Sequence, residues 1–147
     1  MSKHTTDVVI IGAGPVGLFA VFELGLLDMK CHLIDNLDKI GGQCSELYPE
    51  KPIYDIPSRV VVSAQELVDN LMEQCRPFKP IFHLNQQAIK LENNNDKWIV
   101  TTSKGEIINA KCIVIAAGSG SFVPRKPPLQ NIEKYENKSI FYSVNNK

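Results

Sequence analysis

Net charge is what this sequence most plainly lacks, with sixteen Lys and Arg set against sixteen Asp and Glu. A chain with no cationic excess has no electrostatic footprint for nucleic acid and no polybasic patch for a membrane surface. Close cysteine pairs are missing too. Cys31, Cys44, Cys75 and Cys112 lie 13, 31 and 37 positions apart, too far for a zinc knuckle or a C-x-x-C redox pair. Each lies in or beside an apolar run, which predicts inert core thiols in a reduced, cytoplasmic protein. Histidine is scarce: His4, His32 and His83 have no partner at catalytic spacing, so they receive no chemistry and no metal is assigned. Finally, no apolar run is long enough and unbroken enough to span a membrane. Val8 to Leu27 carries only Glu23, but Gly12, Gly14, Pro15, Gly17 and Gly25 interrupt it. It also lacks the positive n-region and cleavage site of a signal peptide.

What remains is a chain of 147 residues, 44% hydrophobic and 22% charged, the composition of an ordinary globular domain. Asp7 to Ile11 is a short continuous apolar run, the pattern of a strand buried in a parallel sheet. A glycine-rich turn follows, then a helix from Pro15 to Leu27, with proline at the position where its missing N–H costs nothing. Lys30 to Asp35 is the next strand, which completes a βαβ unit with a right-handed crossover. Residues 36 to 62 form a long Gly/Pro-rich connection of the kind that usually carries function. Ser63 to Glu66 is a capping box opening a helix on which Leu67, Leu71 and Cys75 recur at helical spacing, and Pro77 ends it.

Short runs at Pro80 to Leu84, Ala88 to Glu92, Lys97 to Thr102 and Glu106 to Ala110 are separated by turn signals, among them Asn93 to Asp96. That spacing predicts an antiparallel meander. Cys112 to Ala117 returns to the buried-strand pattern and ends at Gly118-Ser-Gly120. The segment from 121 to 138, with Pro124, Pro127 and Pro128, reads as a linker, and Ser139 to Val144 as the start of another strand. The expected fold class is α/β: a Rossmann-like domain with a parallel sheet, a βαβ unit and an antiparallel β-meander. Residues 1–120 would form the domain and 121–147 a linker and crossover.

Gly12-Ala-Gly14-Pro-Val-Gly17 fits G-x-G-x-x-G in the right context, after a strand and opening a helix. Gly12 allows the tight turn, Gly14 lets backbone approach a pyrophosphate, and Gly17 lets helix and strand pack closely. The helix N-terminus presents unpaired N–H groups and a positive dipole end to the phosphates. Asp35, 23 positions after Gly12, sits near the roughly 20 expected of a carboxylate that accepts ribose hydroxyls. An acid there disfavours a 2′-phosphate, so FAD or NAD is expected in preference to NADP. The meander, in place of further βαβ units, favours FAD.

Two segments narrow the reading. Gly41-Gly-Gln-Cys-Ser-Glu-Leu-Tyr-Pro-Glu-Lys-Pro-Ile-Tyr-Asp-Ile-Pro57 resembles the flavin-side loop of the thioredoxin-reductase-like ferredoxin–NADP reductases. Ala116-Ala-Gly-Ser-Gly-Ser-Phe-Val-Pro-Arg-Lys126 resembles a second segment of the same family. The resemblance covers essentially the whole chain. It departs at Cys44, where an aliphatic residue is usual and a small thiol should be tolerated. It implies that Gly12, Gly14 and Gly17 hold the pyrophosphate and Asp35 the ribose. Gln43 and Tyr48 would lie on the flavin and ribityl side, Ala88 would offer backbone to the adenine, and Phe122 would pack near the isoalloxazine.

The resemblance further implies an oxidoreductase that takes electrons from NADPH through FAD to ferredoxin or flavodoxin, with no catalytic acid or base. No second G-x-G-x-x-G follows Gly120. The expectation is therefore the FAD-binding part of a truncated or split reductase, with NADPH as substrate only where a second domain or complementing chain supplies its site. A homodimer is another partner to consider. Two alternatives stay open: a fragment of a thioredoxin-reductase-type flavoprotein, and a non-catalytic nucleotide-binding remnant.

Overall fold

A computed structural model describes residues 2–94, 97–121, 126–136 and 138–142. The expected βαβ unit is present. Strand β1 (Lys3–Ile11) leads through the glycine turn into helix α1 (Pro15–Leu26) and back through strand β2 (Cys31–Ile34). Val8, Val9 and Ile10 are almost wholly buried, as a strand flanked on both sides requires. The N–H groups of Asp7 and Val8 both donate to the carbonyl of Lys30, at 3.2 and 3.0 Å.

The long connection is not structureless. It contains a one-turn helix α2 (Gln43–Glu46) and a two-stranded ladder of β3 (Pro52–Ile53) with β4 (Val62–Ser63). Helix α3 (Ala64–Cys75) follows, and Ser63 caps it by accepting from the Glu66 N–H at 3.1 Å. Its buried stripe is Ala64, Val68, Leu71 and Cys75, with Leu67 at the margin of the core. A 3-10 turn at Arg76–Phe78 ends the helix at the predicted proline.

The remaining strands are β5 (Ile81–His83), β6 (Ala88–Asn94), β7 (Lys97–Thr102) and β8 (Ile107–Ile115). They join β1 and β2 in one six-stranded sheet of order β5-β2-β1-β8-β7-β6. Two expectations need correction. The run Pro80 to Leu84 does not belong to the meander: β5 pairs parallel to β2, so α3 is a second crossover helix. The runs Glu106 to Ala110 and Cys112 to Ala117 are one strand, β8, which is antiparallel to β7 in its first half and parallel to β1 along its length. The physical reason for both lies in pairing partner, which a local apolar pattern does not encode. Asn93 and Asn94 are paired strand residues at the end of the β6–β7 hairpin, while Asn95 and Asp96 lie outside the described residues. Of Ser139 to Val144 only the first four residues are described, and they hold an isolated bridge from Glu136 to Ile140 in place of a strand.

The core forms two clusters. Val8, Ile10 and Leu33 meet Leu18 and Val21 of α1 and Val68, Leu71 and Cys75 of α3. Val9 and Ile34 meet Val100, Ile108 and Ala110 of the meander. Gly25 is part of this packing, because a Cβ there would lie 2.3 Å from the Phe78 ring. Cys31 and Cys75 are core thiols and Cys44 is half-buried, but Cys112 is exposed, contrary to expectation. Among the described residues no helix is long and apolar enough to cross a membrane.

Candidate functional site

A cleft of about 740 Å³ opens where the C-terminal ends of β1, β2 and β8 meet the N-terminus of α1. This is the usual ligand position in an open α/β sheet. The three fingerprint glycines stand there for three different reasons. Gly12 has φ +109°, and a Cβ would sit 2.3 Å from the Ala116 carbonyl oxygen. At Gly17 a Cβ would sit 2.0 Å from the carbonyl oxygen of Gly12, so only hydrogen lets α1 lie against the turn. A Cβ at Gly14 would meet nothing nearer than 3.9 Å; that glycine keeps open the space beside the backbone. No side chain caps α1 and no acid stands in its first turn, so its unpaired N–H groups are left for an anion.

Asp35 closes the other side. Its Oδ2 accepts from the Ala13 N–H at 2.7 Å and its Oδ1 from the Leu37 N–H at 2.9 Å. Each oxygen keeps a second lone pair, so the carboxylate is fixed in place and can still accept from a ligand hydroxyl.

Gln43 lies in the cleft and bridges its walls: its Nε2 donates to Ser119 Oγ beyond β8, and its Oε1 accepts from the Tyr48 hydroxyl at 3.1 Å. Tyr48 itself lines a smaller hollow with Lys51, Pro52 and Tyr54, and reaches the main cleft only through Gln43. The Lys51 ammonium sits 5.0 Å from the centre of its ring. Ala88 lines the main cleft at the irregular start of β6. Phe122 lies outside the described residues. Motif reading passed over Glu46, Gln86, Gln87, Ser119 and Ser121, all of which line the cleft. Gln87 Nε2 donates to Ser121 Oγ at 3.0 Å, a second polar tie between the meander and the segment after β8. Only Ser119 and Ser121 carried a signal, by flanking glycines in a turn.

Cys44 packs against the helix-side core, and burial raises its thiol pKa. Burial also pushes Cys31 and Cys75 up to about 11. No thiolate nucleophile is available from these three at neutral pH.

The structure also gathers what sequence spacing kept apart. His4, His32 and His83 form one cluster, with ring centres 5.0 to 5.6 Å apart. His32 Nδ1 lies 2.9 Å from His83 Nε2, and His83 Nδ1 lies 2.5 Å from Glu106 Oε2. Burial above all, with His83 and then His4 beside it, lowers the His32 pKa to about 4, so its ring is neutral. The main-chain carbonyl of His83 accepts from the Asp35 N–H at 3.1 Å, which connects this cluster to the cleft floor.

Residues 6–146 match the family model described as pyridine nucleotide-disulphide oxidoreductase. A protein from Rickettsia felis named ferredoxin–NADP reductase is 61% identical over 144 residues, which is 98% of this chain and 43% of that protein. One of the same name from Mesorhizobium japonicum is 64% identical over 141 residues, 95% of this chain and 41% of its own length. The chain thus spans about two fifths of these relatives. Among solved structures, thioredoxin reductase from Streptococcus pyogenes matches with TM-score 0.69 at 25% identity, over 91% of this chain and 41% of that one.

Proposed function

The chain belongs to the pyridine nucleotide-disulphide oxidoreductase family, and from that premise we propose that its cleft is an FAD site. The observation that carries this reading is the fixed carboxylate of Asp35, held at 2.7 Å from the Ala13 N–H inside the G-x-G-x-x-G turn. Pyrophosphate donors and a ribose acceptor are thereby set in one rigid frame. A cleft of about 740 Å³ suits a dinucleotide, and the open space beside Gly14 is where a Cβ would obstruct it.

Gly12, Gly14 and Gly17 shape the pyrophosphate turn, and Asp35 accepts from the adenosine ribose. Gln43, steadied by Tyr48, lies against the flavin side. Ala88 presents main chain to the adenine. When bound, FAD supplies the redox chemistry, taking an electron pair from NADPH and giving up electrons singly. The protein's part is to bind, orient and exclude water, which requires no general base. Residues 1–120 make the FAD-binding part and 121–147 the crossover toward an NADPH-binding domain.

The whole protein is accordingly a cytoplasmic ferredoxin–NADP reductase that passes electrons from NADPH to ferredoxin or flavodoxin. Support comes from the 61–64% identical relatives of that name. The test is an FAD titration followed by flavin fluorescence and the visible spectrum. The expected result is one equivalent of FAD with a shifted flavin spectrum. A protein that takes up no flavin at saturating concentration refutes the assignment.

A further inference from the structure

Four segments that are distant in sequence bring four titratable side chains to one place. His4 comes from the start of β1, His83 from the end of β5 and Glu106 from the turn into β8, with His32 of β2 behind them. His4, His83 and Glu106 each offer one ligand atom within 4.8 Å of the other two, with Glu106 Oε2 4.0 Å from His4 Nε2 and 2.5 Å from His83 Nδ1. His4 Nε2 is shut off from solvent and has no hydrogen-bond partner among the described residues. A buried ring nitrogen left in that state is costly, and it stands 4.0 Å from the Glu106 carboxylate.

We propose that His4, His83 and Glu106 form a binding site for one divalent transition-metal ion of the zinc class. Two imidazoles and one carboxylate are a donor set for Zn²⁺, Co²⁺ or Ni²⁺, whereas Mg²⁺ and Ca²⁺ demand oxygen ligands. Bonds of about 2.0–2.2 Å to a tetrahedral ion put ligand atoms roughly 3.4 Å apart. The His4–Glu106 separation of 4.0 Å must close a little and the His83–Glu106 contact of 2.5 Å must widen by about as much as a side-chain torsion allows.

His32 has the role of an outer partner. With His83 Nδ1 on the metal, the ring proton sits on Nε2 and is donated to His32 Nδ1, 2.9 Å away. The side chains of His4 and Glu106 are 30% and 24% exposed, so the cluster lies near the surface, and a tetrahedral ion would take a water as its fourth ligand. The ion would tie the first residues of β1 and the tip of the meander to the end of β5. That end is one hydrogen bond from Asp35. The site serves the fold beneath the cleft and touches no reacting atom.

The experiment uses tag-free protein stripped with EDTA, carrying Cys112→Ser so that the exposed thiol cannot bind metal. Zn²⁺ is titrated by calorimetry, Co²⁺ by its visible absorption, and thermal unfolding is recorded with each and with Mg²⁺. The expected result is one equivalent of Zn²⁺ or Co²⁺, a raised melting temperature, and no effect of Mg²⁺. His4→Gln and Glu106→Gln should each weaken Zn²⁺ binding at least tenfold, with circular dichroism confirming that both variants fold. Absence of binding, or equal binding by both folded variants, overturns the proposal. FAD uptake is measured on the same samples, so failure of the metal site and failure of the flavin site are read separately.

Discussion

Asp35 and Ala13 are joined by a 2.7 Å hydrogen bond from the Ala13 amide to the Asp35 carboxylate, linking the end of β2 to the glycine turn after β1. The same side chain thus both organises the turn and faces the proposed ribose. Asp35→Ala should weaken FAD binding by about 10- to 100-fold, the loss of a charged acceptor worth roughly 1.5–3 kcal/mol. Quenching of flavin fluorescence during titration measures it. An unchanged dissociation constant would remove Asp35 from the site.

Two of the glycines should fail in different ways. Gly17→Ala places a methyl 2.0 Å from the Gly12 carbonyl, an overpacking expected to cost about 1–3 kcal/mol of stability. Gly14→Ala meets no atom within 3.9 Å and should change stability by no more than about 1 kcal/mol while still impairing FAD uptake. Urea unfolding beside flavin titration separates the two effects.

Cys112 should be alkylated quickly by iodoacetamide in the native state, with Cys31 and Cys75 protected until unfolding. Peptide mass spectrometry after a short pulse reads this directly. Because burial raises both core thiols from 9.0 to about 11, the folded state holds protons that the unfolded state releases. Stability should therefore fall as pH rises from about 9 to about 11. Cys31→Ala should flatten part of that fall in urea midpoints.

Ser63→Ala removes the acceptor of the 3.1 Å bond from Glu66 and leaves the first turn of α3 short of one partner. The expected loss is about 1 kcal/mol. A lowered urea midpoint with an unchanged slope is the result to look for, since the surface exposed on unfolding stays the same.

Elements governed by nearby residues were readable in advance: the Gly12 turn, Pro15 at the first position of α1, and the Ser63 cap of α3 all stand where local chemistry puts them. The direction of β5 was not, because an edge strand of three residues pairs with whatever the crossover delivers. Nor was the continuity of β8, whose first half pairs with both β7 and β1 and whose second half pairs with β1 alone, so that the pattern changes midway. At the cleft, Gly12, Gly14, Asp35, Gln43 and Ala88 line the space, whereas Tyr48 stands one hydrogen bond behind it. Glu46, Gln86 and Gln87 reach the cleft from elements whose placement is tertiary. The histidine cluster is the extreme case. His4 and Glu106 are 102 positions apart, and only the sheet brings them together.

The pairing of β1 with β8 fixes the order in which the molecule can be assembled. Lys3 opposes Ile107 and Ile11 opposes Ile115, so every rung of that ladder spans 104 residues of chain. Strand β1 must therefore wait for β8 before its second edge is satisfied. High contact order of this kind slows folding and leaves an apolar edge open during synthesis. The β1 edge that faces β8 therefore stays unpaired until residue 115 has emerged, and yield in a cell should depend on translation speed as well as on native stability.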